Sequence, residues 1–87
     1  MMLPEGLPPL APLERRPESR VYAKRAGRHR WRYFDGRNRY IGQLRWSAGS
    51  KLGAWKAPGL DLVDIFAGNA KSAMELGFDY AERELGP

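Results

Sequence analysis

The run Val21-Tyr-Ala-Lys-Arg-Ala-Gly-Arg-His-Arg-Trp-Arg-Tyr-Phe-Asp-Gly-Arg-Asn-Arg-Tyr-Ile-Gly-Gln-Leu-Arg-Trp46 carries the fold. Within it Val21–Lys24, Arg30–Phe34 and Arg39–Trp46 are short segments rich in aromatic and branched residues, separated by glycine-containing turns. That pattern predicts an antiparallel β-meander. Ala26-Gly27-Arg28 suits a three-residue turn, and Asp35-Gly36 is a strong two-residue hairpin signal. Those turn lengths set a register. Phe34 faces Arg37, Arg32 faces Arg39 and Trp31 faces Tyr40 in one hairpin. Arg25 faces His29, Tyr22 faces Arg32 and Val21 faces Tyr33 in the other. Side chains alternate between the faces of a strand, so the register sorts them. Val21, Ala23, Trp31, Tyr33, Tyr40, Leu44 and Trp46 are expected on one face. Arg20, Tyr22, Lys24, Arg30, Arg32, Phe34, Arg37, Arg39, Ile41, Gln43 and Arg45 are expected on the other. Both hairpins lead to this split independently, and each depends on its turn length, because a one-residue slip inverts a strand.

The basic face is costly for folding alone. Arg32 opposite Arg39 places like charges across a strand pair, which destabilises a sheet. A polyanion laid over the face relieves that repulsion, and release of its counterions favours binding. The whole chain has the same asymmetry. Its net charge is +5, yet residues 15–56 alone carry +11, from thirteen Lys/Arg against Glu18 and Asp35. Residues 1–14 carry −2 and residues 57–87 carry −4. A basic middle beside an acidic tail points to an anionic partner, nucleic acid first among them.

Outside the meander, residues 1–18 hold Pro4, Pro8, Pro9, Pro12 and Pro17 and are expected as an extended proline-rich arm, because proline fixes φ and donates no amide. Leu3, Leu7, Leu10 and Leu13 are available there for docking. Residues 19–87 are expected as a single α+β domain: meander 20–46, loop 47–58 and helical region 60–85. The small residues of 47–54 suggest a flexible loop, with Trp55 pinning it to the core. Pro58-Gly59 breaks the chain. Leu60–Phe66 fits either an early helical turn or a short fourth strand, and helix is the expectation. Ala70, Ala73, Met74, Gly77, Ala81 and Leu85 recur at helical spacing, with Asn69 as N-cap and Gly86-Pro87 as the stop. A stripe of small residues lets this helix approach Trp31, Tyr33 and Tyr40 closely. The expected architecture is therefore a three-stranded antiparallel sheet packed on one C-terminal helix.

Eighty-seven residues make one small domain. The absence of cysteine excludes disulfides, thiolate metal sites and thiol nucleophiles. There is no apolar run of about 20 residues for a membrane span, and MMLPEGLPPL does not read as a secretory signal. A soluble cytoplasmic protein is expected. His29 is the lone histidine, with no positioned carboxylate or serine beside it. Asp61 and Asp64 are explained by a helix N-terminus, and Ala48-Gly49-Ser50-Lys51 lacks phosphate-loop spacing. No enzyme activity, metal or cofactor is expected.

The run Val21–Gly42 resembles the amino-terminal arm-site DNA-binding domains of lambda-type tyrosine recombinases, and its architecture is similar to that of the plant ethylene-response-factor DNA-binding domain. In both families a three-stranded sheet lies in the major groove and a helix packs behind it. The segment Ala70–Ala81 looks like that helix. The resemblance implies that Tyr22, Lys24, Arg30, Arg32, Arg39 and Gln43 touch DNA. It also implies that a free-standing domain acts as an accessory or regulatory protein, of the phage or plasmid kind. This chain departs from both families in the long stretch between third strand and helix, which holds Trp46, Trp55 and Pro58.

Face and resemblance together predict a binder of nucleic acid, DNA before RNA and duplex before single strand. Arg20, Tyr22, Lys24, Arg30, Arg32, Arg37, Arg39, Gln43 and Arg45 are its candidate contacts. Arginines suit phosphates and guanine edges, Gln43 suits adenine, and Tyr22 and Phe34 suit stacking on unpaired bases. The alternative is a small protein-binding inhibitor or adaptor that occupies a site on a larger nucleic-acid-handling machine. Its contact face would be Asp64, Glu75, Asp79 and Glu82, or the Pro/Leu arm. The chain is expected as a monomer, or as a dimer if Trp55 and Phe78 are exposed.

Overall fold

In the computed structural model, residues 13–15 and 19–86 are described, the first three as backbone only. The chain is α+β. Six antiparallel strands run in sequence order across one sheet: β1 (Leu13–Arg15), β2 (Val21–Gly27), β3 (Arg30–Asp35), β4 (Tyr40–Trp46), β5 (Leu52–Lys56) and β6 (Val63–Phe66). One helix, α1 (Ala70–Leu85), follows. The expected β2–β4 meander is present, but the sheet is wider than three strands. Two segments read otherwise account for this: β5 lies inside the expected loop 47–58, and β6 lies where helix was expected at 60–67. A short edge strand also lies within the expected arm. The rest of that arm is outside the described residues.

Why β5 looks like a loop is a matter of space. Gly53 passes so close to β4 that a Cβ would stand 2.1 Å from the Arg45 carbonyl oxygen. Gly42 in turn makes room for the Trp55 ring, which a Cβ would meet at 2.6 Å. The glycines that suggested flexibility are required by close packing in a sheet. In β6 the residues are few, and the connection from its partner strand β5, residues 57–62, runs through Pro58-Gly59.

The registers differ from the expected ones, with different consequences. Between β2 and β3, Ala23 faces Tyr33 and Lys24 faces Arg32, two residues along from the expected pairs, because the turn is Arg28-His29 with an irregularity at 25–27. A shift of two preserves the faces. Between β3 and β4, Trp31 faces Leu44, Arg32 faces Gln43 and Phe34 faces Tyr40. A bulge leaves Ile41 without an opposite residue. It exchanges the expected places of Tyr40 and Ile41: Ile41 is 8% exposed and in the core, whereas Tyr40 is 45% exposed on the opposite face.

Helix α1 covers one face only, seating Ala73, Gly77, Phe78 and Ala81 on Val21, Ala23, Trp31, Tyr33, Leu44 and Trp55. Asn69 caps it as expected, its side-chain oxygen accepting from the Ser72 amide at 2.8 Å. Tyr33 is the central contact. Its hydroxyl donates to the Met74 carbonyl at 2.7 Å, and its ring meets Trp55 and Phe78 edge-on at 5.6 and 5.2 Å. Trp55 also stacks on Tyr80 at 5.8 Å. Trp46 donates its indole N–H to the Ala67 carbonyl at 3.0 Å, tying the entry to α1 against β4. The indole nitrogens of Trp31 and Trp55 are buried without partners, a desolvation cost of about 1–3 kcal/mol each that ring packing must offset. Trp55 and Phe78 are both buried, so the dimer contact premised on their exposure does not arise. Among the described residues no helix is long and apolar enough to cross a membrane.

The helix sits this close because residue 77 has no side chain: a Cβ there would lie 2.1 Å from the Tyr33 hydroxyl oxygen. Gly77→Ala should therefore destabilise the fold by about 1–3 kcal/mol despite the better helix propensity of alanine. Urea denaturation of the two proteins measures the difference, and an unchanged or raised midpoint would show that the contact yields freely.

Candidate nucleic-acid interface

With α1 on one side, the register leaves the other side of the sheet without a helix. Cross-strand partners share a face, which assigns Tyr22 and Lys24 of β2, Arg30, Arg32 and Phe34 of β3, Gln43 and Arg45 of β4 with the flanking Tyr40, and Ala54 and Lys56 of β5 to this open side. Arg30 and Arg45 are directly opposite each other, so the like charges meet there and not at the expected Arg32–Arg39. Arg32 faces Gln43 instead, and its Nε donates to the Gln43 side-chain oxygen at 3.4 Å. Among the described residues none of Lys24, Arg30, Arg32 and Arg45 has a carboxylate partner. Asp64 of β6 is the carboxylate that the pairing places on this side, facing Ala54 near the sheet's far edge.

Aromatic rings lie along the β2–β4 end of the same face. Tyr22 stacks on Phe34 at 5.5 Å and 18°, and Phe34 meets Tyr40 edge-on at 5.8 Å. The Lys24 ammonium stands 5.3 Å from the centre of the Phe34 ring. Tyr22 itself is only 7% exposed, and its hydroxyl is hydrogen-bonded to Asn38 Oδ1. Its ring lies beside the half-buried ring of Phe34 on the neighbouring strand, and Tyr40 is the exposed ring of the three.

Two hollows open on this basic side. One, of about 430 Å³, is bounded by Arg32, Phe34, Tyr40 and Gln43. The other, of about 450 Å³, lies at the end of β3 and β4 and includes Arg28, His29, Arg30, Arg45, Leu52 and Ala54 in its lining. Small residues in β5 keep its floor low, and His29 rests edge-on against Trp46 at 5.0 Å.

Three candidates do not join this group. Arg20 precedes β2 and donates to the Gly86 carbonyl at the end of α1, at 2.8 Å. Arg37 and Arg39 sit in the β3–β4 loop. Sequence reasoning placed them in a strand because Asp35-Gly36 looked like a complete turn. The left-handed position is in fact occupied by Asn38, at φ 63. Asp35 organises this longer loop. Its Oδ1 accepts from the Arg37 and Arg39 amides at 2.8 and 3.0 Å, and its Oδ2 from Arg39 Nε at 3.0 Å. Conversely, sequence reasoning missed Tyr40 as a surface ring, because only the bulge reveals it. Lys56 also belongs to this side, although its ammonium is bonded to the Ala57 and Leu60 carbonyls.

Compared with protein-family models, curated proteins and solved structures, the chain matches none. The site is thus defined by its own geometry.

Asp35 holds the loop that carries Tyr40 into place. Its carboxyl lies below the usual aspartate value of 3.8, chiefly through the hydrogen bond from the Arg39 amide; burial opposes this, and the Arg37 amide and the Arg39 guanidinium reinforce it. A folded-state value below the unfolded one means that the carboxylate adds stability above the unfolded value and loses it as pH falls through the folded one. Asp35→Asn should therefore lower the melting temperature near neutral pH. The gap from the parent should close as the buffer is taken below pH 3.8. Thermal unfolding followed by circular dichroism across that range tests this; a gap independent of pH would rule out the charge as its source.

Proposed function

We propose that this protein binds nucleic acid on the open face of its sheet, acting as a small accessory or regulatory factor. The observation that carries this reading is the gathering of Lys24, Arg30, Arg32 and Arg45, without carboxylate partners among the described residues, beside the half-buried ring of Phe34 and the exposed ring of Tyr40. Phosphates answer the cations, Arg30 and Arg45 above all, and bases answer the rings.

The width of the sheet bears on the form of nucleic acid. At about 4.8 Å between neighbours, β2–β6 extend about 19 Å, against about 12 Å for the major groove of B-DNA. A three-stranded sheet enters such a groove edge to edge, and this one is too broad to do so. The duplex expectation rested on three strands, and with the broader platform single-stranded nucleic acid becomes the better fit. Stacking rings beside a cationic track are the usual means of holding it.

A second reading has its own support. Leu60, Leu62, Val63 and Phe66 are exposed around β6, and Phe66 faces the exposed Leu52 across the strands. An apolar edge strand of this kind suits a protein partner, in keeping with an adaptor on a nucleic-acid-handling machine. Nuclease treatment separates the two readings, since a protein partner held at β6 survives it.

The nucleic-acid reading predicts affinity for a labelled single-stranded oligonucleotide that falls steeply with salt. Arg30→Ala with Arg45→Ala should flatten the log–log salt slope by about 0.7 for each lost phosphate contact. Fluorescence anisotropy over a salt series measures both quantities. Salt-independent binding, or a slope unaltered by the double substitution, would sink the proposal.

A further inference from the structure

The hollow bounded by Arg32, Phe34, Tyr40 and Gln43 has a chemical polarity that the rest of the face lacks. Two of its walls are aromatic, and Tyr40 leans edge-on toward Phe34 at 5.8 Å. The other two are an arginine and an amide directly opposite each other on β3 and β4. Arginine has donors only. When Arg32 Nε donates to Gln43, the amide must turn its oxygen toward the guanidinium and its NH2 group away. The contact occupies one of the two lone pairs of Gln43 Oε1 and leaves the remaining guanidinium N–H groups and the amide NH2 as donors. The polar wall is rich in donors.

We infer that this hollow, of about 430 Å³, is a base site selective for guanine in single-stranded nucleic acid. The inference rests on the proposed function and specifies its base preference. Guanine presents two acceptors side by side, N7 and O6, on its Hoogsteen edge; adenine presents an acceptor and a donor there. A wall rich in donors favours the first over the second. Adenine would place its N6 amine against a guanidinium or an amide NH2, leaving buried donors unpaired. The ring of Tyr40 supplies the stacking surface, and it stands at the rim because the β4 bulge turned it outward.

The test compares a short oligodeoxyadenylate with the same oligomer carrying one central guanine, together with ribonucleotide versions of both and a duplex of the guanine oligomer. Fluorescence anisotropy at fixed low salt is the readout. The guanine oligomer should bind about tenfold tighter than its adenine parent. Single strands should bind more tightly than the duplex. The deoxy and ribo arms report which sugar the face prefers, and a guanine preference in either supports the site. Gln43→Glu replaces the amide donors with a carboxylate that pairs with the facing Arg32 and should abolish the preference. Tyr40→Ala should weaken both single-stranded oligomers about tenfold while keeping their ratio, and since Tyr40 is exposed the fold should survive. Salt-dependent binding with equal affinity for guanine and adenine would overturn the guanine site while leaving the nucleic-acid face standing. Tighter binding to the duplex would overturn the base site as well. Failure of every oligomer to bind would overturn both.

Discussion

The Tyr33 ring beneath Gly77 is the contact on which the rest of the molecule depends. It brings α1 onto the sheet at a distance that only glycine permits, and the Tyr33 hydroxyl fixes the approach by donating to the Met74 carbonyl. Ala73 and Ala81 extend the same close contact along the helix. Large aromatics in the sheet and small residues in the helix thus fill one volume, the interdigitation that a small core needs to reach native density. One helix is enough to complete the core from that side. On the opposite side of the sheet Lys24, Arg30, Arg32 and Arg45 are exposed. Its composition then need not serve packing.

What occupies that open side does not favour folding. Arg30 and Arg45 face each other across β3 and β4, and Lys24 faces Arg32 across β2 and β3. Each pairing opposes like charges, which costs a sheet a few tenths of a kcal/mol to about 1 kcal/mol. The Lys24 ammonium over the Phe34 ring recovers part of that cost. The carboxylates of α1 do not lie over this face, since the helix packs on the other. The charge separation along the sequence, basic middle and acidic tail, becomes a separation in space between sheet face and helix. A sheet whose exposed side is paid for in repulsion has gained something other than stability, and in the proposed function an anionic ligand supplies the missing counter-charge.

How much of this was legible from the residues depends on parity. Arg30, Arg32, Gln43 and Arg45 fall on the expected face although none of the expected pairs was correct, because every displacement in those segments was by an even number of residues. Hydrophobic alternation is robust to such errors. Tyr40 and Ile41 were exchanged because a single inserted residue reverses the faces, and Gly42 signals a break in the strand without saying which residue is inserted. The Asp35-Gly36 dipeptide misled for a related reason: a carboxylate able to accept two amides builds a longer loop, and Asn38 tolerates the left-handed backbone that Gly36 was expected to supply. Strand β5 was hidden by the glycine its own packing requires. The helix was legible in register and cap because its signals are local: an Asn one residue before the first turn, small residues at helical spacing and a closing glycine.

The extra strands also alter what kind of partner the face can meet. Strand β5 places Ala54 beside Arg45, so the cationic surface continues past β4 over a low floor and not against a wall. Strand β6 then ends the sheet with Phe66 and Leu52 paired on the same open side. Cationic track and apolar edge are therefore consecutive zones of one surface, separated by a single carboxylate at Asp64. A nucleic-acid strand on β2–β4 and a protein segment added along β6 occupy different strands and do not compete for the same groups. In that geometry the two readings become two ends of a single platform, and an adaptor that places a protein beside a bound strand needs no further domain to do so.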